Sequence, residues 1–234
     1  MDLQVIRELV NLIKDDELKK IVEDVLNNPV LSFTNIKALI KLDESPAAPR
    51  KHHFFTGGLI LHTYTVTKIA LMLSEIFYEV YGIRADKDTV LATAVLHDIF
   101  KYYQYVPDKV NGGYKAREDW YLSHDYAIVA ELSRRNAPDK LIRAITEVHG
   151  QTPFSTLEGL IVHLADTIDA RIGEILQNIM LSKLRDYEKK CELYKVLDSL
   201  IKKHGVREIV SRALINDDEF KKIFENECRN TLNN

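Results

Sequence analysis

The chain has 234 residues, 46% hydrophobic and 29% charged, which excludes a wholly disordered protein and is long enough to bury a core without staples. Its formal charge of −3 excludes the global basic field on which sequence-independent duplex binding rests. The N-terminus lacks a basic start followed by an apolar stretch, and no run approaches ~18 consecutive apolar residues, so neither a signal peptide nor a membrane span is expected. Cys191 and Cys228 form no metal-binding spacing; they read as incidental and fit a reduced, cytoplasmic compartment.

The apolar period is close to 3.6 almost throughout, so the elements expected are helices. Residues 2–14 place Leu3, Ile6, Leu9, Val10 and Ile13 on one helical face, and a second helix runs from Asp16 to Leu26, ahead of Pro29. A short third is expected from Thr34, as N-cap, to Leu42. A loop with two prolines and two glycines, ESPAAPRKHHFFTGG, leads into a long helix from Leu59 to Tyr81, closed by Gly82. Asp88 can cap the next helix, which extends to about Tyr103. Residues 105–119 read as a loop or small hairpin. Helices follow from Ser123 to Arg135, from Pro138 to His149, and from Thr156 to Leu181, the last with Ser155 and Glu158 as a capping box. Residues 187–232 read as two or three charged amphipathic helices. The fold class is all-α, a helical bundle.

The histidines are not scattered. His62 lies inside the long helix, His97 and Asp98 adjoin in AVLHDIFK, His124 opens one helix, His149 closes another, and Asp166 sits inside HLADTIDA. Apolar neighbours such as Val95, Leu96, Ile161 and Leu164 turn these polar groups toward the interior, where an unpaired carboxylate is costly. One histidine on a helix is usually a surface or satisfied core residue. Several such residues on five helices, with an adjacent His–Asp pair, point to a shared metal ion.

The order His … His-Asp … Asp resembles the HD superfamily of metal-dependent phosphohydrolases. Two histidines between the pair and the final Asp are similar to its binuclear members. The strings PAAPRKHHFFTGGLILHT, LHDIFKYYQY and HLADTIDAR further resemble the HD domain of YhaM-like 3′-to-5′ exoribonucleases, over roughly Pro46 to Ile172. Three positions depart from the pattern: Phe100 and Ser123 stand where glycine is usual, and Val148 where a second histidine is common. The N-terminal nucleic-acid module of those exonucleases has no counterpart in the helical first 45 residues.

The resemblance implies an HD-domain bundle over 46–182, with helical extensions over 1–45 and 183–234. It implies that His62, His97, Asp98 and Asp166 ligate one divalent ion, and that His124 and His149 hold a second ion or a substrate phosphate. Asp98 would bridge two ions. Lys101, one turn after Asp98, would bind the scissile phosphate. His53, Arg50 and Arg171 are candidate substrate-binding residues, and Asp169, His163 and Glu147 candidate supports of the ligands. The mixed His and carboxylate set suits Fe, Mn, Ni, Co or Zn, one or two ions. The expected reaction is hydrolysis of a phosphate mono- or diester by activated water, on a small phosphorylated substrate such as a nucleotide or short single-stranded nucleic acid. A regulatory module that binds metal or nucleotide without turnover is the alternative. The terminal helices have no readable chemistry and suit core coverage or a homodimer.

Overall fold

Thr89–Leu96 is small or apolar at every position, and every one of its side chains is buried. A helix that is apolar all round belongs inside a bundle, and this one forms its axis. The structure, a computed structural model, describes residues 2–232. Its helices are α1 (Leu3–Val10), α2 (Asp16–Asn27), α3 (Gly58–Tyr81), α4 (Lys87–Leu96), α5 (His124–Arg134), α6 (Asp139–Glu147), α7 (Leu157–Lys183), α8 (Leu193–His204), α9 (Val206–Ile215) and α10 (Asp217–Leu232). Among the described residues, regular strands are confined to an antiparallel hairpin of β1 (Tyr105–Pro107) and β2 (Tyr114–Ala116). The fold is therefore all-α, as its periodicity predicts.

Helix α3 packs on α4 and α7, and α4 on α6 and α7. One apolar cluster joins α1, α2, residues 31–42, α4, α5 and α6; a second joins Phe54 and Phe55 to the end of α7 and to α8–α10. A third lies between α3, α4 and α7 around Val66, Val90 and Val162. Helix α3 is long and apolar enough by composition alone (mean hydropathy 1.2) to cross a membrane, but it carries a buried polar face that includes His62, Thr63 and Thr67.

Four local expectations are corrected. Residues 34–42 form no α-helix; only Leu42–Glu44 make a 3₁₀ turn. Backbone in and just before this stretch is claimed otherwise: Glu131 accepts from Ser32 N at 2.6 Å, the Lys37 carbonyl accepts from Arg117 at 2.8 Å, and Thr34 Oγ1 accepts from Ile36 N. Asp86, not Asp88, caps α4, while Asp88 accepts from Lys14 N and Asp15 N. Helix α4 stops at Leu96, and the chain tightens through Ile99 N to Leu96 O and Lys101 N to Asp98 O bonds into a 3₁₀ helix over Lys101–Gln104. Thr156 caps α7 through Gly159 N; Ser155 instead donates to Glu147, and Glu158 accepts from Asp86 N.

Cys191 and Cys228, read as incidental, form a disulfide that ties the segment before α8 to α10 across 37 residues, with Cα atoms 6.0 Å apart. Closing a loop of that length removes chain entropy worth about 3–4 kcal/mol. Reductant should lower the denaturation midpoint of the protein, and the Cys191→Ser/Cys228→Ser double variant should match the reduced form; midpoints unchanged by reductant would show that the bond contributes nothing.

Candidate functional site

The tightened turn after α4 leaves His97 and Asp98 at the centre of the bundle, 1% and 0% exposed. His62 comes from the first half of α3, Asp166 from α7, His124 from the N-terminus of α5, and His149 from just beyond α6. All six residues that the sequence singles out as ligands meet here, in two groups. His62, His97, Asp98 and Asp166 form one, and Asp98, His124 and His149 the other.

In the first group His62 Nε2 stands 3.1 Å from Asp98 Oδ2 and 3.1 Å from Asp166 Oδ1, with His97 Nε2 3.5 and 3.9 Å from the same oxygens. In the second, Asp98 Oδ1 lies 3.0 Å from His124 Nε2 and 3.6 Å from His149 Nε2. Metal–ligand bonds of ~2.0–2.2 Å place neighbouring donor atoms about 3–3.5 Å apart. Moreover, the Nε2 atoms of all four histidines and Asp98 Oδ1 are buried without a hydrogen bond. Atoms that converge closely yet make no directed hydrogen bonds are what an ion requires of its ligands. The residues therefore fit divalent metal, with the two oxygens of Asp98 facing different groups.

The far sides of the rings are held. His62 Nδ1 meets Asp169 Oδ2 at 2.6 Å, and His97 Nδ1 donates to the Ala94 carbonyl at 2.8 Å. Both contacts put the proton on Nδ1 and leave the Nε2 lone pair for an ion. Gln104 meets His124 Nδ1 at 3.2 Å. Asp169 lies three residues after Asp166, so both project from one side of α7. Of the other two candidate supports, His163 holds the Val148 carbonyl at 2.6 Å, while Glu147 accepts from Ser155 and Thr156. Both brace the segment that carries His149.

Lys101 Nζ stands 2.5 Å from Asp98 Oδ2. Burial alone would raise the Asp98 carboxyl, but the charge of Lys101 and the imidazoles of His97 and His124 hold it well below the usual carboxylate range. Lys101 is held above its ordinary value: burial opposes this, and the charge of Asp98 prevails. Burial keeps His149 neutral, down to about 4, and lowers His97 as well. His62 goes the other way. Burial opposes its charge, yet the carboxylates of Asp166, Asp169 and Asp98 that surround the ring raise it well above the ordinary histidine value.

Two clefts open onto the cluster. One, of about 600 Å³, is lined by Lys51, His52, Asp166, Thr167 and Arg171. The other, of about 550 Å³, is lined by His52, Lys101, Gln104, Tyr105 and His124. The candidate substrate residues fare differently. Arg171 lines the first cleft but pairs with Glu174 at 2.5 Å. Arg50 lines both, with its guanidinium donating to the Gly112 carbonyl at 3.0 Å and stacked 3.9 Å over Tyr194. His53 lines neither: its Nε2 meets Asp169 Oδ2 at 2.9 Å, behind His62. Its neighbour His52 takes the place on the cleft wall, and burial, with His62 and Lys101 nearby, keeps its ring neutral, at about 3. The resemblance favours the second of these adjacent histidines, His53, whereas the turn places the first, His52, on the cleft wall.

Residues 59–171 match the model of the HD domain. A dihydroneopterin 2′,3′-cyclic phosphate phosphodiesterase of Methanocaldococcus jannaschii is 36% identical over 198 residues, 82% of this chain and 79% of the relative. This chain belongs to the HD-domain family. It is an HD-domain phosphohydrolase, dependent on divalent metal as members of the family are. 3′-5′ exoribonucleases YhaM of Shouchella clausii and Bacillus subtilis are 28% and 27% identical over 143 and 142 residues, 56% and 55% of this chain but 43% of theirs. No solved structure matches significantly.

The carboxylates around His62 favour a second proton, on Nε2, which an ion must displace while Nδ1–H stays on Asp169, so metal uptake by this HD domain should release protons and weaken as pH falls. Calorimetry in buffers of different ionisation enthalpy reads that release, and a heat independent of buffer would contradict it. Asp169→Asn should weaken metal binding about 10–100-fold while leaving helicity intact.

Proposed function

We propose that this protein is a binuclear phosphodiesterase acting on a small, nucleotide-like phosphate ester. The observation that carries the reading is the pair of ligand groups joined at Asp98, each oxygen facing its own set of histidines. His62, His97, Asp98 and Asp166 would hold one ion, and Asp98, His124 and His149 the other. Ions bound there would supply Lewis acidity and activate water at neutral pH.

The chain's own residues supply the rest. Lys101, kept charged by Asp98, reaches the 550 Å³ cleft and is placed to bind a phosphoryl oxygen and stabilise charge that grows during attack. Asp169 and the Ala94 carbonyl keep the His62 and His97 rings oriented. Gln104 can turn either end of its amide to His124 Nδ1, so it accommodates the Nδ1–H tautomer that frees Nε2. A relative whose similarity spans most of this chain is a dihydroneopterin 2′,3′-cyclic phosphate phosphodiesterase, which supports a small diester rather than a long polymer. Homodimer formation remains part of the proposal, while the Cys191–Cys228 disulfide removes the argument for a cytoplasmic setting that rested on reduced cysteines.

Asp98→Ala should lose bound metal and all hydrolysis of a generic phosphodiester with helicity retained; an active variant would sink the assignment. Lys101→Ala should keep its metal, measured by plasma mass spectrometry, and lose about 10²–10³-fold in kcat. Parallel losses of metal and rate would remove its phosphate role.

A further inference from the structure

Around the cluster the buried side-chain atoms without a hydrogen bond include His62 Nε2, His97 Nε2, Asp98 Oδ1, His124 Nε2, His149 Nε2 and His52 Nδ1. The first five face the two ligand groups. His52 does not join them: its ring lies 5.2 Å from that of His62, and it groups only with His53 and His62. Those two already share the Asp169 carboxylate. With His53 Nε2 and His62 Nδ1 on Asp169 and His62 Nε2 turned to the main cluster, the three histidines leave no open ion site, and among the described residues His52 Nδ1 has no hydrogen-bond partner. A buried polar atom left in that condition costs free energy unless a ligand meets it.

The position of His52 is built rather than incidental. Arg50 and His53 on either side adopt positive φ, 67° and 43°, although neither is glycine. The turn is closed by Ala48 N to His52 O and Ala47 N to His53 O bonds, and Gln177 holds the Arg50 carbonyl at 3.1 Å. It lies so close to α7 that a Cβ at Gly173 would come within 2.7 Å of His53 Nε2 and 3.1 Å of His52 Cβ. The outcome is a ridge, Arg50–His52, that forms a wall of both clefts directly beside the cluster.

We propose that His52 is a substrate-contacting residue, donating a hydrogen bond to a phosphoryl oxygen at the junction of the two clefts, in a site shaped for a phosphodiester with one substituent in each cleft. The inference rests on the phosphodiesterase reading above. A terminal phosphate, or a cyclic one on a single sugar, would fill one cleft and leave the other to water; an acyclic diester uses both. His52 then touches the one group common to every such substrate, and Lys101 faces it from the second cleft.

The test uses metal-loaded protein, with inorganic phosphate and bis(4-nitrophenyl) phosphate as probes. In His52→Ala, metal content should equal that of the parent, phosphate should bind about tenfold more weakly by calorimetry, and KM for the diester should rise by a similar factor. His52→Asn, which keeps an N–H donor, should recover much of both. The parent should also favour the diester over 4-nitrophenyl phosphate in kcat/KM. Loss of metal in both variants would make His52 a ligand and overturn the proposal, as would unchanged phosphate affinity and KM. A parent that binds phosphate through His52 but hydrolyses no diester would retain the contact while overturning both the phosphodiesterase reading and the diester-shaped site.

Discussion

The structure turns on one carboxylate. Asp98 is fully buried at the end of the central helix, where an ionised group without partners would be several kcal/mol out of balance. Its two oxygens divide the surroundings: Lys101, His62 and His97 approach one, His124 and His149 the other. Helix α4 can carry that charge inward only because its preceding turns, small or apolar, are buried and pack on α3, α6 and α7. Those neighbours supply the compensating groups. The packing of the bundle and the chemistry of the site are the same constraint seen from two sides.

The two ligand groups are not equally rigid. His62 is fixed by the Asp169 carboxylate and His97 by a backbone carbonyl, so both present Nε2 to the centre without reorganisation. His124 is steadied by an amide, and His149 Nδ1 has Asp166 Oδ2 at 3.7 Å. The first group is thus the preorganised one, while the second adapts. Asp166 and Asp169, one turn apart on α7, divide the work: one faces the centre, the other stands behind His62 and His53.

The terminal helices shape the clefts from outside. Asp198 of α8 accepts from Thr56 N at 2.7 Å, Tyr194 stacks beneath Arg50, and Lys195 packs against Gly112 at the hairpin tip, closely enough that a Cβ there would meet its Cβ at 2.5 Å. These contacts brace the 50–58 loop and the hairpin, both walls of the site. On the other side Glu131 and Arg117 pin residues 32–37 to the bundle.

Much of this was legible in the chain itself. The 3.6 period determined an all-α fold, and the setting of His62, His97, Asp98, His124, His149 and Asp166 among apolar residues marked the cluster, because polar groups on buried helix faces need a common partner. Glycines and prolines marked the 46–58 loop and the hairpin. The tertiary structure decided what depends on contacts distant in sequence. Residues 34–42 gave up helicity because Glu131 and Arg117, some 80–100 residues away, bind the backbone around them. Asp88 and Ser155 were drawn from capping by Lys14, Asp15 and Glu147. His53, the expected substrate contact, stands behind His62 against Asp169, and His52 lines the clefts, because the turn aims adjacent side chains in different directions. Local pattern determines which groups must be buried together; which of them face an ion, a carboxylate or a substrate is settled by packing between segments that the sequence leaves far apart.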